Sequence, residues 1–175
     1  ISMDDYNLDP KSIEKNISKY TKAIMVVDIF GQSAKMDEIK KIANKYKLKI
    51  ISDTAQAIGA KYHKKFAGTL GDVGGYSLNY HKHIHTGEGG IVVTNNPSIA
   101  NKVRLIRNHA EAIIKSNNKN ILSNMIGYNF RLGEIESAVG IEQLKKLPSI
   151  LKERKQLCKK LIISLKELNG LKFAN

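Results

Sequence analysis

One lysine, Lys82, stands in the stretch Gly75-Tyr-Ser-Leu-Asn-Tyr-His-Lys82-His-Ile-His-Thr-Gly-Glu-Gly-Gly90. Tyr76 to Leu78 suits a strand, Ile91-Val-Val-Thr94 starts another, and the glycines between them make a loop. The spacing therefore places Lys82 on a loop between two buried strands. An ammonium at the edge of an apolar core loses hydration, whereas most lysines stand on exposed helix faces. Three further side chains can share a site with it: Ser77, five residues earlier, Asp53 after the strand-like segment Leu48–Ile51, and Gln56 one short turn on. A lysine amine can condense with an aldehyde to a Schiff base and then carry protons between carbon atoms. A carboxylate can keep a pyridine nitrogen protonated, so that the ring accepts carbanion electrons, while hydroxyl and backbone donors hold a phosphate. The chemistry that uses all four groups is that of pyridoxal phosphate.

The elements that must position these groups follow from periodicity. Asp9-Pro10 is an N-cap with a first-turn proline, and Ile13, Ile17 and Tyr20 recur at helical spacing, which predicts a helix over 10–20. Ala23–Val27 is apolar without alternation, as in a strand buried on both faces of a parallel sheet. Gly31-Gln-Ser-Ala turns the chain, and Met36, Ile39, Ala43 and Tyr46 line one face of a second helix. The strand Leu48–Ile51 then closes a βαβ unit, and α/β architecture follows. Asp53 stands just past the carboxyl end of that strand, where open α/β sheets bind ligands; it can equally be the N-cap of a helix over 54–60. Gly68-Thr-Leu-Gly-Asp-Val-Gly-Gly75 lacks the spacing of a phosphate-binding glycine loop and precedes a strand, so it reads as a chain of turns.

Asn96-Pro97 caps a helix with Ile99, Val103 and Ile106 on one face, and residues 109–126 read as a long surface loop. From Gly133 a helical pattern runs through Ile135, Val139, Leu144 and Leu147, meets Pro148, where a kink or split is expected, and resumes through Leu151 and Leu161 to Leu168.

Bulk properties bound the alternatives. The 175 residues are 42% hydrophobic and 26% charged, the composition of an ordinary globular domain. No stretch is long and apolar enough for a membrane span, and the single cysteine, Cys158, fits a cytoplasmic setting without disulfides. The net charge of +13 raises nucleic acid as a partner. The lysines are, however, spread over every predicted helix, and the densest basic run, Lys145 to Lys160, has no aromatics to stack on bases. Neither nucleic acid nor membrane is expected as a partner, although the charge suits a phosphate-bearing ligand.

Several motifs occur in one order: Ser52-Asp-Thr-Ala-Gln-Ala-Ile-Gly59, Gly71-Asp-Val-Gly-Gly-Tyr-Ser77, Lys82 with Thr86-Gly-Glu-Gly-Gly90, Val103-Arg-Leu-Ile-Arg-Asn-His109, and Gly127-Tyr-Asn-Phe-Arg131 through Glu142-Gln-Leu144. Together they resemble the DegT/DnrJ/StrS family of sugar aminotransferases almost from end to end. The resemblance implies a fold-type-I, aspartate-aminotransferase-like large domain over 1–132. A long kinked helix and the start of a small C-terminal domain would occupy 133–175. It implies pyridoxal 5'-phosphate as cofactor, a nucleotide-linked keto-sugar as substrate in amino-sugar or surface-polysaccharide biosynthesis, and an amino-acid donor, usually glutamate. By position, Lys82 looks like the Schiff-base lysine, Asp53 the partner of the pyridine nitrogen, Gln56 a contact near the ring hydroxyl, Ser77 a phosphate ligand and Ala55 a small residue against the ring. Asn129 is similar to the asparagine that reaches the neighbouring subunit's phosphate, which implies a homodimer with shared sites.

The chain departs from the family at Asp28, where histidine is usual. It also lacks the N-terminal segment that cups the phosphate, the aromatic stacked on the ring and most of the C-terminal domain. It is therefore expected to be a fragment, inactive alone. Two other readings remain: a sugar 3-dehydratase of the same family, in which histidine replaces the lysine, and a non-catalytic basic module that binds nucleic acid or regulates. His81, His83 and His85 alternate beside Lys82, yet only Glu88 lies near them at ligand spacing, and no metal is expected.

Overall fold

The computed structural model describes residues 1–111 and 125–174. Asp9 opens helix α1 (Pro10–Asn16), its carboxylate accepting from the Lys11 N–H at 3.0 Å. The helix ends before Ile17, which is already extended, so the predicted continuation to Tyr20 does not form. Strand β1 (Ala23–Val27), a 3-10 turn (Ile29–Gly31), helix α2 (Met36–Lys45) and strand β2 (Lys49–Asp53) make the expected βαβ unit. Its two strands are parallel and in register from Ala23–Lys49 to Val27–Asp53. After a small hairpin, β3 (Lys61–Tyr62) with β4 (Lys65–Phe66), strand β5 (Val73–Ser77) adds parallel to β2. Strand β6 (Gly90–Val93) adds antiparallel to β5, giving the order β1-β2-β5-β6.

One face of this sheet carries the main core. Ile24, Val26 and Ile50 meet Ile13 of α1 and Met36, Ile39 and Ala43 of α2. The other face is open at β1, where Met25 is 62% exposed and Val27 39%. An apolar run suits burial on both sides, but here helices α1 and α2 cover one side only, and β1 alternates. The expectation of two buried strands around Lys82 is corrected in the same way: edge strand β6 leaves Ile91 and Val92 about half exposed.

Helix α3 (Pro97–Arg107) is capped by Asn96, whose side-chain oxygen accepts from the N–H groups of Ser98 and Ile99. Of the predicted loop over 109–126, residues 112–124 lie outside the described residues. Its flanks are tied together by the His109 N–H donating to Tyr128 O and the Tyr128 N–H to Ile106 O. Helix α4 (Glu134–Leu165) remains one helix across Pro148 and stops three residues before Leu168. The proline leaves the Leu144 carbonyl without its helical partner, but both residues are exposed and water can serve that carbonyl, so no split follows. Leu147 anchors the helix by packing with Leu78 and Ile84, joined by Ile58, Ile150 and Leu151.

Candidate functional site

Side-chain alternation and register decide which residues share a face. Val27, Asp53, Gly75 and Val92 form one row across the sheet, and Ser77 lies on the same side two residues beyond Gly75. Asp53 and Ser77 thus open onto the uncovered face, at the carboxyl ends of the parallel strands β2 and β5, where α/β sheets bind ligands. Between them Gly75 has open space, since a Cβ there would meet nothing within 4 Å.

Asp53 does not cap a helix. Residues 54–60 form turns, and its Oδ1 accepts the Ala55 N–H at 3.1 Å. Its Oδ2 has no hydrogen-bond partner among the described residues, so that oxygen is available to a ligand. The Ser77 Oγ accepts the Asn79 N–H at 3.2 Å, which leaves the hydroxyl proton free to be donated.

Lys82 sits half-buried on the loop 78–89, and that loop is pinned at both ends. The Leu78 N–H donates to Gly89 O at 2.8 Å and the Thr86 N–H to Leu78 O at 3.0 Å. The Asn79 side-chain amide reaches Glu88 Oε1 at 2.6 Å, and the Thr86 hydroxyl donates to Glu88 O at 2.8 Å. The Thr86-Gly-Glu-Gly-Gly run is therefore a clasp: Gly87 supplies a left-handed turn at φ +83°, and a Cβ at Gly89 would lie 2.5 Å from the Thr86 hydroxyl. Ile84, 2% exposed, plugs the loop onto Leu147 of α4. The Lys82 N–H donates to Asn79 O at 2.9 Å, closing the turn that carries the side chain.

Gln56 is exposed and lines a cavity of about 930 Å³ with His83, Lys61, Leu147, Lys152 and Lys155. Of the three histidines, only His83 faces this cavity. Burial holds its imidazole below the ordinary value, and the positive charges of Arg154 and Lys82 add to the effect. His81 stacks on Tyr80 with ring centroids 3.8 Å apart, and the His85 Nδ1 accepts the Gly87 N–H at 3.4 Å. Among the described residues no cluster of three metal-ligating side chains occurs. Asn129 is exposed, on the segment paired with Asn108 at the end of α3.

A polar layer lies under the site, on the covered face. Asp28, 1% exposed, accepts the Ala34 N–H at 3.0 Å and the Thr54 hydroxyl at 2.8 Å. Burial raises its carboxyl above the usual carboxylate range, and the nearby Asp53 charge adds to this. The Tyr76 hydroxyl donates to Ala67 O. Sequence reasoning noted Asp28 only as a departure from a pattern; its place at the end of an apolar run was the one available signal.

The geometry defines an α/β domain in which Asp53 and Ser77 stand at the carboxyl ends of two parallel strands and Lys82 on the loop that follows the second. The family model described as the DegT/DnrJ/EryC1/StrS aminotransferase family matches residues 1–174, and the chain belongs to that family. It is similar to GDP-perosamine synthase of Caulobacter vibrioides, 37% identical over 87% of this chain and 40% of that protein. Among solved structures it is similar to the Helicobacter pylori aminotransferase PseC, of pseudaminic acid biosynthesis, with TM-score 0.86 and 35% identity over 93% of this chain and 43% of that one. It is also similar to the E. coli GDP-4-keto-6-deoxy-D-mannose-3-dehydratase with bound hydrated PLP, with TM-score 0.83 and 32% identity over 95% of this chain and 46% of that one. The chain spans less than half the length of these relatives. No helix among the described residues is long and apolar enough to cross a membrane.

The residues present fit pyridoxal phosphate: a carboxylate and a hydroxyl with a free proton flank a strand position that lacks a side chain, and the loop that leaves the same strand carries a lysine amine.

Proposed function

We propose that this chain carries the cofactor half of a pyridoxal-phosphate-dependent aminotransferase that acts on a nucleotide-linked keto-sugar, with an amino acid, glutamate, as donor, in amino-sugar or surface-polysaccharide biosynthesis. The observation that carries the reading is Lys82, held by a clasped loop at the sheet end where Asp53 and Ser77 share one face. The bound cofactor supplies an electron sink that stabilises negative charge on a substrate carbon. The Lys82 amine would hold the aldehyde of the cofactor and serve as the group that moves a proton at the reacting carbon. The Asp53 carboxylate would hold the ring nitrogen protonated through its Oδ2, and the Ser77 hydroxyl would donate to the phosphate. Gln56 would contact the ring hydroxyl, and the small Ala55 would leave room for the ring. The cationic rim of the neighbouring cavity, from Lys61, Lys152 and Lys155, suits the diphosphate of a nucleotide sugar.

The exposed Asn129 corresponds by resemblance to the asparagine that reaches a second subunit's phosphate, so a homodimer with shared sites is part of this reading. Residues 1–132 then form part of the large domain and 133–175 lead into the small one. The single exposed thiol, Cys158, accords with the cytoplasm. Lysine at position 82 favours amino transfer over the dehydratase reading, which expects histidine there.

The test is to add the cofactor to the protein as its gene encodes it, reduce with borohydride and map the adduct by mass spectrometry. The adduct is expected on Lys82 and absent in Lys82→Ala; an adduct that persists in Lys82→Ala refutes the assignment.

A further inference from the structure

The buried carboxyl of Asp28 has no part in the chemistry above, yet it touches three segments that meet behind the site. Its backbone N–H donates to Asp53 O at 2.9 Å, tying the ends of β1 and β2. Its Oδ1 holds the Ala34 N–H, and its Oδ2 accepts the hydroxyl of Thr54. Asn7, 2% exposed, fixes the same turn from the other side, its Oδ1 accepting the Ile29 N–H at 3.1 Å.

Thr54 is fully buried between two site residues, Asp53 and Ala55. Its N–H donates to Gly75 O at 2.9 Å, and its carbonyl accepts the Ala57 N–H at 3.1 Å. It is therefore the pivot of the turn that presents Asp53, Ala55 and Gln56. Space around its hydroxyl is closed: a Cβ at Gly68 would lie 2.8 Å from both the Thr54 Oγ1 and the Tyr76 hydroxyl oxygen. A threonine side chain confined in this way and bonded to a buried carboxylate has little rotational freedom, and the adjacent backbone shares that rigidity.

We propose that Asp28 is a positioning residue of the cofactor site, which acts through the Thr54 hydroxyl to hold the Asp53–Gln56 turn in the geometry that meets the ring. This rests on the proposed cofactor, and the test separates the two. Asp28→Asn keeps the shape but puts an amide N–H donor in place of the oxygen that accepts the Thr54 hydroxyl, while Thr54→Val keeps the volume and removes the hydroxyl; Thr54→Ser restores it. Cofactor affinity is measured by equilibrium titration in the dark, without turnover, and amide exchange at Ala55 and Ala57 is measured in the cofactor-free protein.

Asp28→Asn and Thr54→Val are each expected to weaken cofactor binding about tenfold, and the double variant by about tenfold rather than a hundredfold, because both break one linkage. Exchange at Ala55 and Ala57 is expected to rise about tenfold in the same variants, and Thr54→Ser to match the parent in both measurements. Additive losses, or a lowered melting temperature with affinity and exchange unchanged, overturn the positioning role and leave the cofactor assignment standing. A parent protein that binds no cofactor overturns the assignment and the positioning role together.

Discussion

Gly74 and Gly75 are adjacent in β5 and face opposite sides of the sheet, so the same substitution at each has opposite consequences. A Cβ at Gly74 would fall 1.9 Å from the Gly68 carbonyl oxygen, with the Gly68 carbon atoms at 2.7 and 2.9 Å. Ordinary contact begins at 3.4 Å, so β5 and the Gly68 turn must separate by about 1.5 Å. Neither yields easily. Gly74 is in register with Ser52 on one side and Val93 on the other, and Gly68 sits at φ +82° beside Ala67, whose carbonyl holds the Tyr76 hydroxyl. Overpacking against backbone on both sides belongs at the upper end of such costs, roughly 3 kcal/mol. For a chain of this size that lowers the melting temperature of Gly74→Ala by about 6–12 °C. Gly75→Ala meets nothing and replaces a strand glycine, which regains about 0.5–1 kcal/mol of backbone entropy, so its melting temperature holds or rises. Its methyl group nevertheless enters the space between Asp53 and Ser77, and cofactor affinity is expected to fall about tenfold or more. Melting followed by circular dichroism and a cofactor titration on both variants decide the matter. If Gly75→Ala melts as early as Gly74→Ala, the assignment of faces is wrong; if it binds cofactor as the parent does, the ligand does not lie over Gly75.

Two further outcomes follow from the lysine loop. Leu147→Ala removes the residue on which Leu78 and Ile84 pack; the cluster is small and at the edge of the fold, so urea denaturation should show a loss of about 2 kcal/mol, against less than about 0.5 kcal/mol for Leu144→Ala on the exposed side of the same helix. His83 is held below its ordinary value by burial and two cationic neighbours, so its folded pKa lies below its unfolded one. Its contribution to stability is then complete above about pH 6.5 and is lost as pH falls towards the folded value. His83→Gln should flatten the fall in melting temperature below that pH, and an unchanged slope counts against a desolvated imidazole in the cavity.

The parts legible in the sequence were those encoded locally. The Asp9-Pro10 and Asn96-Pro97 caps, the periodicity of α2 and the turn chemistry of Thr86 to Gly90 each state their structure within a few residues, and each formed as read. What was hidden depends on contacts across the fold. Asp28 meets Thr54 26 residues away, and a lone acid after an apolar run does not name its partner. The Ala23–Val27 run was read as doubly buried because apolar composition records that a face can be covered, not that an element packs on it. Of the kink or split that Pro148 suggests, the split does not occur, because proline denies a carbonyl its donor but an exposed carbonyl can turn to water.

The same distinction governs α4. Leu144, Leu147, Leu157 and Leu161 all belong to its apolar pattern, and periodicity ranks them equally. Leu144, Leu157 and Leu161 are 57–58% exposed, while Leu147 is 9% exposed because Ile84 and Leu78 of the lysine loop project onto that turn of the helix. The loop also needs the helix, since the clasp of Thr86 and Glu88 fixes its ends but not the height of its middle, where Lys82 sits. One leucine is thus selected by the loop that it supports, and the position of the lysine amine is a joint property of the Thr86–Gly90 motif and of a helix that begins 44 residues further on.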